Sequence, residues 1–259
     1  MRRLFIIAAL AAVALCGCKS EKKINQYSSI YNEKPTMVYV APIDDRAERK
    51  PEKFPKDIAY NNEVNTASAY LMKTVATPLL NNGYYVMGPV AERQIAEAEN
   101  KSAKEWHNGD LKPLHQKYGA DAVLIITVHR WVEGNGIWTA YLEYRLRSTH
   151  SNSDLMHTWV MATKTVPINL KGNPTVMKND TKFAERLALD NGTAQRCFIV
   201  EKVNDYVLRN LPVSSSRRQF ERDRYEPAVP TYLKYTWTDE GGSDVKACPQ
   251  EEYEQGCFI

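Results

Sequence analysis

Apolar positions along the chain follow two different periods, and the order of these periods predicts an α/β fold. Residues 62–82 place apolar side chains three or four positions apart, which is typical of a helix with one buried face. Residues 36–43 and 84–87 are short apolar segments that predict strands. Seven nearly unbroken apolar residues at 122–128 predict a strand that is buried on both faces.

The period changes to strict alternation at residue 137. We predict a half-exposed antiparallel strand over 137–150, followed by a turn at 151–154 and a returning strand over 155–166. One face of the first strand is apolar. The opposite face carries Thr139, Tyr141, Glu143, Arg145 and Arg147.

Three side chains of this polar face form a candidate interface, namely Tyr141, Arg145 and Arg147. Aromatic residues and arginine are enriched where proteins bind one another. The same mixture also occurs on sheet faces that contact only solvent, so the pattern leaves both interpretations open.

Further helices are predicted over 90–99, from Asp110 to about residue 118, and over 181–211. Beyond residue 213 the periodicity fails. We therefore predict an α/β domain over 36–211, with a mixed sheet flanked by helices, and an irregular C-terminal extension over 212–259.

The N-terminus has the features of a bacterial secretion signal. Arg2 and Arg3 precede an apolar run over 4–15, which is too short to span a bilayer comfortably. The run ends in Leu-Cys-Gly-Cys at 15–18, which resembles a bacterial lipobox. This resemblance implies a signal peptide over 1–17, cleaved between Gly17 and Cys18, and acylation of Cys18.

The residues that follow Cys18 bear on location. Asp after the lipidated cysteine is the usual inner-membrane retention signal of Gram-negative lipoproteins, and Lys19 stands there instead. The resemblance thus implies an outer-membrane lipoprotein whose body faces the periplasm. Residues 18–35 are polar and aperiodic, and we interpret them as a tether.

Composition excludes several classes of protein. Hydrophobic residues make up 43% of the chain and charged residues 25%, which is ordinary for a globular protein. Lysine and arginine together number 34 against 31 acidic residues, a net charge of +3. This excess is too small to indicate nucleic acid as the main partner.

Candidate chemistry is sparse. The sequence contains no nucleotide-binding, zinc-protease or nucleophile-elbow motif, so we expect no cofactor and no catalytic set. Asp44 and Asp45 could form a carboxylate pair for acid–base work or a cation site, but loop solvation and capping beside Arg46 is the favoured interpretation.

Histidines and cysteines do not predict a metal site. His150 and His157 flank the predicted hairpin turn and are interpreted as surface residues, because two imidazoles alone do not hold a metal. Cys248 and Cys257 are candidates for a disulfide that closes a small loop, and Cys197 is expected to be a buried thiol.

Three segments carry a resemblance to a known family. Residues 36–43 with the acidic residue that follows resemble the family's "VLVLPP-N/D" strand. Residues 76–86, ATPLLNNGYYV, resemble its "T-PLAEKGYYV" segment, and YGADAVL at 118–124 with Trp131 resembles "GADAVLYITI--W". The family comprises bacterial lipoproteins of unknown function, typified by a genome-derived Neisseria vaccine antigen. The match covers about residues 36–211.

The resemblance implies a fold like the N-terminal domain of TolB and a gene neighbourhood with a CsgG-like lipoprotein, and it points to self-association. It supplies no catalytic residues. The leading hypothesis is therefore a non-enzymatic accessory or assembly factor that acts through protein contacts, with a CsgG-like export lipoprotein as a candidate partner.

Two alternatives remain. A lipoprotein regulator of a peptidoglycan synthase must reach the inner membrane. The predicted tether, extended, spans at most about 55–60 Å at about 3.3–3.6 Å per residue, which disfavours that role. A hydrolase that uses Asp44 and Asp45 is the third hypothesis.

Overall fold

A computed structural model of the chain describes residues 21–48, 55–165, 191–213, 217–238 and 243–256. The predicted signal peptide, Cys18 and Cys257 lie outside the described residues. The described part forms one mixed sheet with helices packed on both of its faces.

The helices and strands of this part are numbered in chain order. They are α1 (Lys23–Gln26), α2 (Ser28–Glu33), β1 (Met37–Val40), β2 (Asp44–Asp45), α3 (Pro55–Thr74), α4 (Ala76–Asn81), β3 (Tyr85–Val86), α5 (Pro89–Glu99), α6 (Ala103–Asn108), α7 (Lys112–Tyr118), β4 (Ala122–Gly134), β5 (Ile137–Ser148), β6 (Asp154–Thr165), α8 (Asn191–Arg209), α9 (Arg217–Asp223), β7 (Tyr232–Thr238), β8 (Ser243–Ala247) and α10 (Gln250–Gly256).

The strand order across the sheet is β3-β1-β4-β5-β6-β7-β8, and β2 also pairs with β4. β1 runs parallel to β3 and β4, whereas β4, β5 and β6 form an antiparallel meander. β7 is parallel to β6, and β8 is antiparallel to β7. The predicted α/β class with a mixed sheet is confirmed.

The main core lies between one face of the sheet and the helices α3 and α8. Leu71 of α3, Val203 of α8 and Leu124 of β4 are all buried there. A polar contact crosses this core, because the Tyr144 hydroxyl donates to Asn204 Oδ1 at 2.7 Å and the Asn204 amide donates to the Leu71 carbonyl at 2.9 Å. Both buried polar groups therefore have partners.

A smaller core covers the other face of the sheet beside β1 and β4. Tyr39 and Val123 project from these strands toward Ile95 of α5, Trp106 of α6 and Leu114 of α7. β4 is thus buried on both faces, as its unbroken apolar sequence predicts.

The expectation that β5 is half-exposed is wrong. Tyr141 is 7% exposed, and Glu143 and Arg147 are each 5% exposed, although all three lie on the polar face. The helix α6, which the sequence analysis did not predict, contributes to this cover. Its signal was present, because Ser102 and Glu105 form a capping box, in which the Glu105 carboxylate accepts from the Ser102 N–H at 2.7 Å.

The helix predicted over 62–82 is two helices that meet at Val75. Pro78 has no N–H to donate to the carbonyl of Thr74, so the regular hydrogen bonding is interrupted one turn before the proline. Gly83 follows α4 with φ of +82°, the left-handed conformation in which glycine commonly ends a helix.

The expectation that residues 18–35 form a tether is wrong from Lys23 onwards. α1 and α2 pack against the body, and both Tyr27 and Ile30 are buried in the main core. Lys23 Nζ lies 3.3 Å from Glu226 and 3.6 Å from Asp223. Two helices of this length are not stable alone, so their order depends on these tertiary contacts.

The expectation of an irregular extension over 212–259 is also wrong in its described part. β7 pairs with β6 from Trp159 to Thr165, and Leu233 and Tyr235 are buried. This strand was not predicted because its partner is distant in the chain and no hairpin turn marks the pairing. The helix predicted over 181–211 is observed as α8, and residues 166–190 lie outside the described residues.

Candidate functional site

Glu143 is the centre of a polar cluster on the second face of β5. Its Oε2 accepts a hydrogen bond from His129 Nε2 at 2.9 Å, and its Oε1 accepts one from His157 Nε2 at 2.7 Å. We call Glu143, His129, His157 and Trp159 the histidine–glutamate cluster. In register, Glu143 stands between Thr127 of β4 and Trp159 of β6.

A β-bulge positions the first histidine. The pairing of β4 with β5 shifts between Val128 and Arg130, so His129 is the inserted residue. Beyond the bulge, Trp131 returns to the face of the main core. The insertion therefore places an imidazole over Glu143 and shifts the alternation by one residue, so that the core face is reached at Val128 before the bulge and at Trp131 after it.

The Glu143 carboxyl is strongly acidic in this setting. Burial opposes its ionisation, but the hydrogen bonds from His129 and His157 outweigh burial and lower its pKa to about 2. Glu143 is therefore an anion at any physiological pH. It acts as an acceptor for two imidazoles rather than as a proton donor.

Aromatic rings enclose the cluster. The Trp159 ring centroid lies 5.2 Å from that of His129 and 5.2 Å from that of His157. Tyr232 stacks on Trp159 at 6.0 Å, and Tyr253 of α10 meets it edge-on at 5.3 Å. The C-terminal helix thus covers a face of the sheet that the sequence predicts to be open.

Arg145 belongs to a second polar group beside this cluster. Its Nη2 donates to both oxygens of Asp154 at 2.9 Å, and its Nη1 lies 3.3 Å from His107 Nδ1. Because a guanidinium only donates, His107 Nδ1 accepts and the ring proton is on Nε2. His107 Nε2 lies 3.1 Å from Thr127 Oγ1 and 3.3 Å from Asp44 Oδ2.

The neutral form of His107 also agrees with its surroundings. Burial lowers the pKa of this imidazole, and the nearby Glu143 and Asp44 carboxylates oppose that effect. His107 is therefore a neutral donor that joins α6 to the sheet.

Asp44 and Asp45 do not form a carboxylate pair. Asp44 accepts from Arg46 Nε at 2.8 Å and lies beside His107. Asp45 instead accepts from the Ser68 hydroxyl of α3 at 2.7 Å, on the opposite face of the sheet. Successive residues of a strand point in opposite directions, so the two carboxylates serve separate contacts.

The residues of the predicted interface have different environments. The Tyr141 ring packs edge-on against Tyr253 at 5.5 Å. Arg147 donates to the carbonyls of Trp106 at 2.8 Å and Asn152 at 2.9 Å. Both are covered by the chain itself, and Arg145 is the member that keeps some exposure. An interface at these residues stays a prediction.

The predicted cysteine chemistry is described only in part. Cys197 is fully buried, as expected. Cys248 is buried, and burial raises the pKa of its thiol. Its pairing with Cys257, and the processing of the chain at Gly17 and Cys18, involve residues outside the described part and stay predictions. Within the described residues, no helix has the length and apolarity needed to cross a membrane.

The architecture is that of an α/β domain, with a mixed sheet flanked by helices. A family model described as "Putative lipoprotein GNA1162-like" matches residues 55–142. A putative lipoprotein of Neisseria meningitidis serogroup B is 28% identical over 182 residues, which cover 61% of this chain and 78% of the relative. The predicted resemblance is thereby confirmed, and the chain is similar to the GNA1162-like lipoproteins.

Two solved structures align with parts of this chain. Lipoprotein GNA1162 from Neisseria meningitidis has 20% identity and a TM-score of 0.40, with coverage of 53% of this chain and 89% of that one. The hypothetical protein CT253 from Chlamydia trachomatis has 16% identity and a TM-score of 0.40, with coverage of 68% and 99%.

Proposed function

We propose that the chain is an outer-membrane lipoprotein, anchored through Cys18, that acts as an accessory or assembly factor through protein contacts. Its candidate partner is a CsgG-like export lipoprotein, and the chain has no catalytic activity of its own. The feature that carries this proposal is the open edge of the sheet at β3.

The β3 edge presents both backbone and apolar surface. The Tyr85 N–H donates to the Thr36 carbonyl at 2.8 Å and the Met87 N–H donates to the Val38 carbonyl at 3.1 Å. Within the described residues no strand pairs with the other side of β3. Tyr85 is 65% exposed and Val90 is 73% exposed. An unprotected strand edge beside exposed apolar side chains is a surface to which another protein can add a β-strand.

A groove next to this edge extends the surface. It has a volume of about 550 Å³. Its lining is mainly apolar and includes Met37, Val86, Met87, Ala91, Ile95 and Tyr118. A partner that pairs with β3 could bury its own apolar side chains in this groove. The contact would then combine backbone hydrogen bonds at the edge with buried apolar surface in the groove.

The packing of α1 and α2 supports a partner at the same membrane. Only five residues lead from Cys18 to Lys23, so a fully extended chain reaches at most about 17–18 Å at about 3.3–3.6 Å per residue. With Cys18 acylated, the body lies against the membrane that holds it. A peptidoglycan synthase regulator that spans the periplasm needs a much longer reach.

Site-specific photo-crosslinking in cells tests this proposal. A photoreactive phenylalanine analogue replaces Tyr85, and the same analogue at Tyr225, which is 77% exposed, is the matched control. We expect an outer-membrane lipoprotein to be captured from position 85 only, and to be lost in a Cys18→Ala variant.

Two other outcomes would contradict the proposal. Capture of an inner-membrane cell-wall synthase from position 85 would support the regulator hypothesis and refute the short-reach argument. Equal capture from positions 85 and 225, or none from 85, would show that the β3 edge is not the contact surface.

A further inference from the structure

Three side chains from separate parts of the fold converge at the end of the sheet where β1 and β4 begin. His115 is in the last turn of α7, Asp121 immediately precedes β4, and His150 is in the turn between β5 and β6. Their nearest ligand atoms all lie within 4.8 Å of one another. This group shares no residue with the histidine–glutamate cluster.

The separations of the Asp121 carboxylate from the two imidazoles fit shared metal coordination better than direct hydrogen bonds. Asp121 Oδ1 lies 3.4 Å from His115 Nδ1 and 3.6 Å from His150 Nε2. Ordinary hydrogen bonds between such atoms are about 2.7–3.2 Å long. Ligand atoms around a tetrahedral ion, with bonds of about 2.0–2.2 Å, are about 3.3–3.6 Å apart.

The Asp121 carboxylate is already oriented for this role. Its Oδ2 accepts three hydrogen bonds: from the Thr36 N–H at 3.0 Å, the Thr36 hydroxyl at 2.7 Å and the Met37 N–H at 2.9 Å. These bonds leave Oδ1 directed at both imidazoles. Ligating carboxylates are typically held in this way by hydrogen bonds from outside the coordination sphere.

Backbone contacts fix the three positions relative to one another. Gly119, with φ of +72°, ends α7 and donates to the His115 carbonyl at 2.9 Å. The Thr149 hydroxyl donates to the carbonyls of Ala120 at 2.7 Å and Asp121 at 2.8 Å, which ties the turn of His150 to the start of β4. The arrangement is preformed and requires little reorganisation to accept an ion.

We propose that His115, Asp121 and His150 bind a divalent transition metal ion of the zinc class, with a coordination position left open to solvent. Two imidazoles and one carboxylate are the ligands that such ions share, whereas calcium and magnesium require sites made of oxygen. The His115 and His150 side chains are 41% and 47% exposed, so an ion reaches them without unfolding.

His115 Nδ1 has one competing partner. It lies 3.3 Å from the Ala120 carbonyl, to which its N–H donates in one tautomer. Metal binding requires the tautomer whose proton is on Nε2, because a coordinating imidazole nitrogen must carry no proton. The long contact with the carbonyl makes this change inexpensive.

The sequence alone could not reveal this site. His115 and His150 are far apart in the chain, and Asp121 lies inside a segment that looks like an ordinary strand entry. We expected no metal site because the possible ligands are not clustered in the sequence. The fold brings three of them together in space.

Metal titration of the full chain, purified in detergent and stripped with chelator, tests the proposal. We expect one equivalent of Zn²⁺ to bind per chain and to raise the unfolding temperature. His115→Gln and His150→Gln should each weaken zinc binding at least about tenfold. Lys117→Gln on the same helix is the matched control and should leave the affinity unchanged.

A second measurement separates this site from the thiols. Cobalt(II) in a tetrahedral nitrogen and oxygen site gives visible ligand-field bands without the thiolate charge-transfer band of a cysteine site. We expect that spectrum, and its loss in His150→Gln. Zinc binding that survives both histidine substitutions, a thiolate band, or no zinc binding would overturn the proposal. Unfolding midpoints of the zinc-free variants, matched to wild type, establish that the variants are folded.

Discussion

On one face of β5, Leu142, Tyr144 and Leu146 pack into the main core beneath α3 and α8. On the other face, Glu143 and Arg147 are buried to almost the same degree, but their neighbours are imidazoles and backbone carbonyls. The side chains of both faces are therefore buried, but different interactions stabilise their burial. One face removes apolar surface from water, and the other provides a partner for each charged group.

This difference shows what an alternating pattern can predict. Alternation correctly assigns side chains to faces, but it does not say whether the polar face contacts solvent or a second layer of structure. A polar face can be buried when its donors and acceptors are paired within the protein, because the cost of desolvation is then offset. Here His129 and His157 supply that pairing for Glu143, and the carbonyls of Trp106 and Asn152 supply it for Arg147.

Truncation on the apolar face should have the largest effect. Leu142 is fully buried, so Leu142→Ala leaves a cavity between the sheet and the helices. We expect the free energy of unfolding to fall by about 2–5 kcal/mol, measured by urea denaturation of the full chain. A loss below about 1 kcal/mol would mean that this face is loosely packed.

Glu143, the central charge of the polar face, should contribute to the free energy of unfolding in a pH-dependent way. Because the folded pKa of Glu143 is lowered from 4.5 to about 2, its stabilisation is complete above the unfolded pKa and is lost as the pH falls toward 2. At neutral pH, Glu143→Gln should cost on the order of 3 kcal/mol.

The measurement is the free energy of unfolding of wild type and Glu143→Gln from pH 6 to pH 3. The difference between the two proteins should shrink as the pH falls below about 4.5. A difference that stays constant over this range would show that the histidines do not act on an ionised carboxylate.

The cover provided by α10 should have a smaller effect. The Tyr253 hydroxyl donates to the Leu142 carbonyl at 3.2 Å, so Tyr253→Phe removes one hydrogen bond and keeps the ring contacts. We expect a loss of about 0.5–1.5 kcal/mol in thermal or urea unfolding. If neither the unfolding free energy nor the rate of hydrogen exchange in α10 changes, the contacts of the Tyr253 ring alone hold the helix.

Removal of an exposed ion pair should have the smallest effect on the free energy of unfolding, and it is the reference for the buried charged groups. Arg209 pairs with Asp205 one turn earlier in α8, and their side chains are 63% and 42% exposed. Arg209→Ala should change the unfolding free energy by no more than about 0.5 kcal/mol. A larger loss would mean that charge on this surface matters as much as charge on the covered face of β5.

The sequence predicted the elements whose partners are adjacent in the chain. The meander of β4, β5 and β6, α5 and the helix end at Gly83 all follow local signals. α1, α2 and β7 were missed because their order depends on distant segments, although Tyr27 and Ile30 already have helical spacing. The histidine–glutamate cluster was missed for the same reason, since a bulge at His129 and a strand pairing create it.

The contact between the two ends of the chain also sets an order of events in time. The Ala228 N–H donates to the Glu21 carbonyl at 2.8 Å, and the Gln26 amide donates to the Val229 carbonyl at 2.6 Å. During synthesis, the segment that begins at Glu21 emerges first and has no surface on which to dock until the segment around residues 223–229 has followed it. Contacts this distant in sequence form late. α1 and α2 therefore become part of the folded body only after most of the chain has been made.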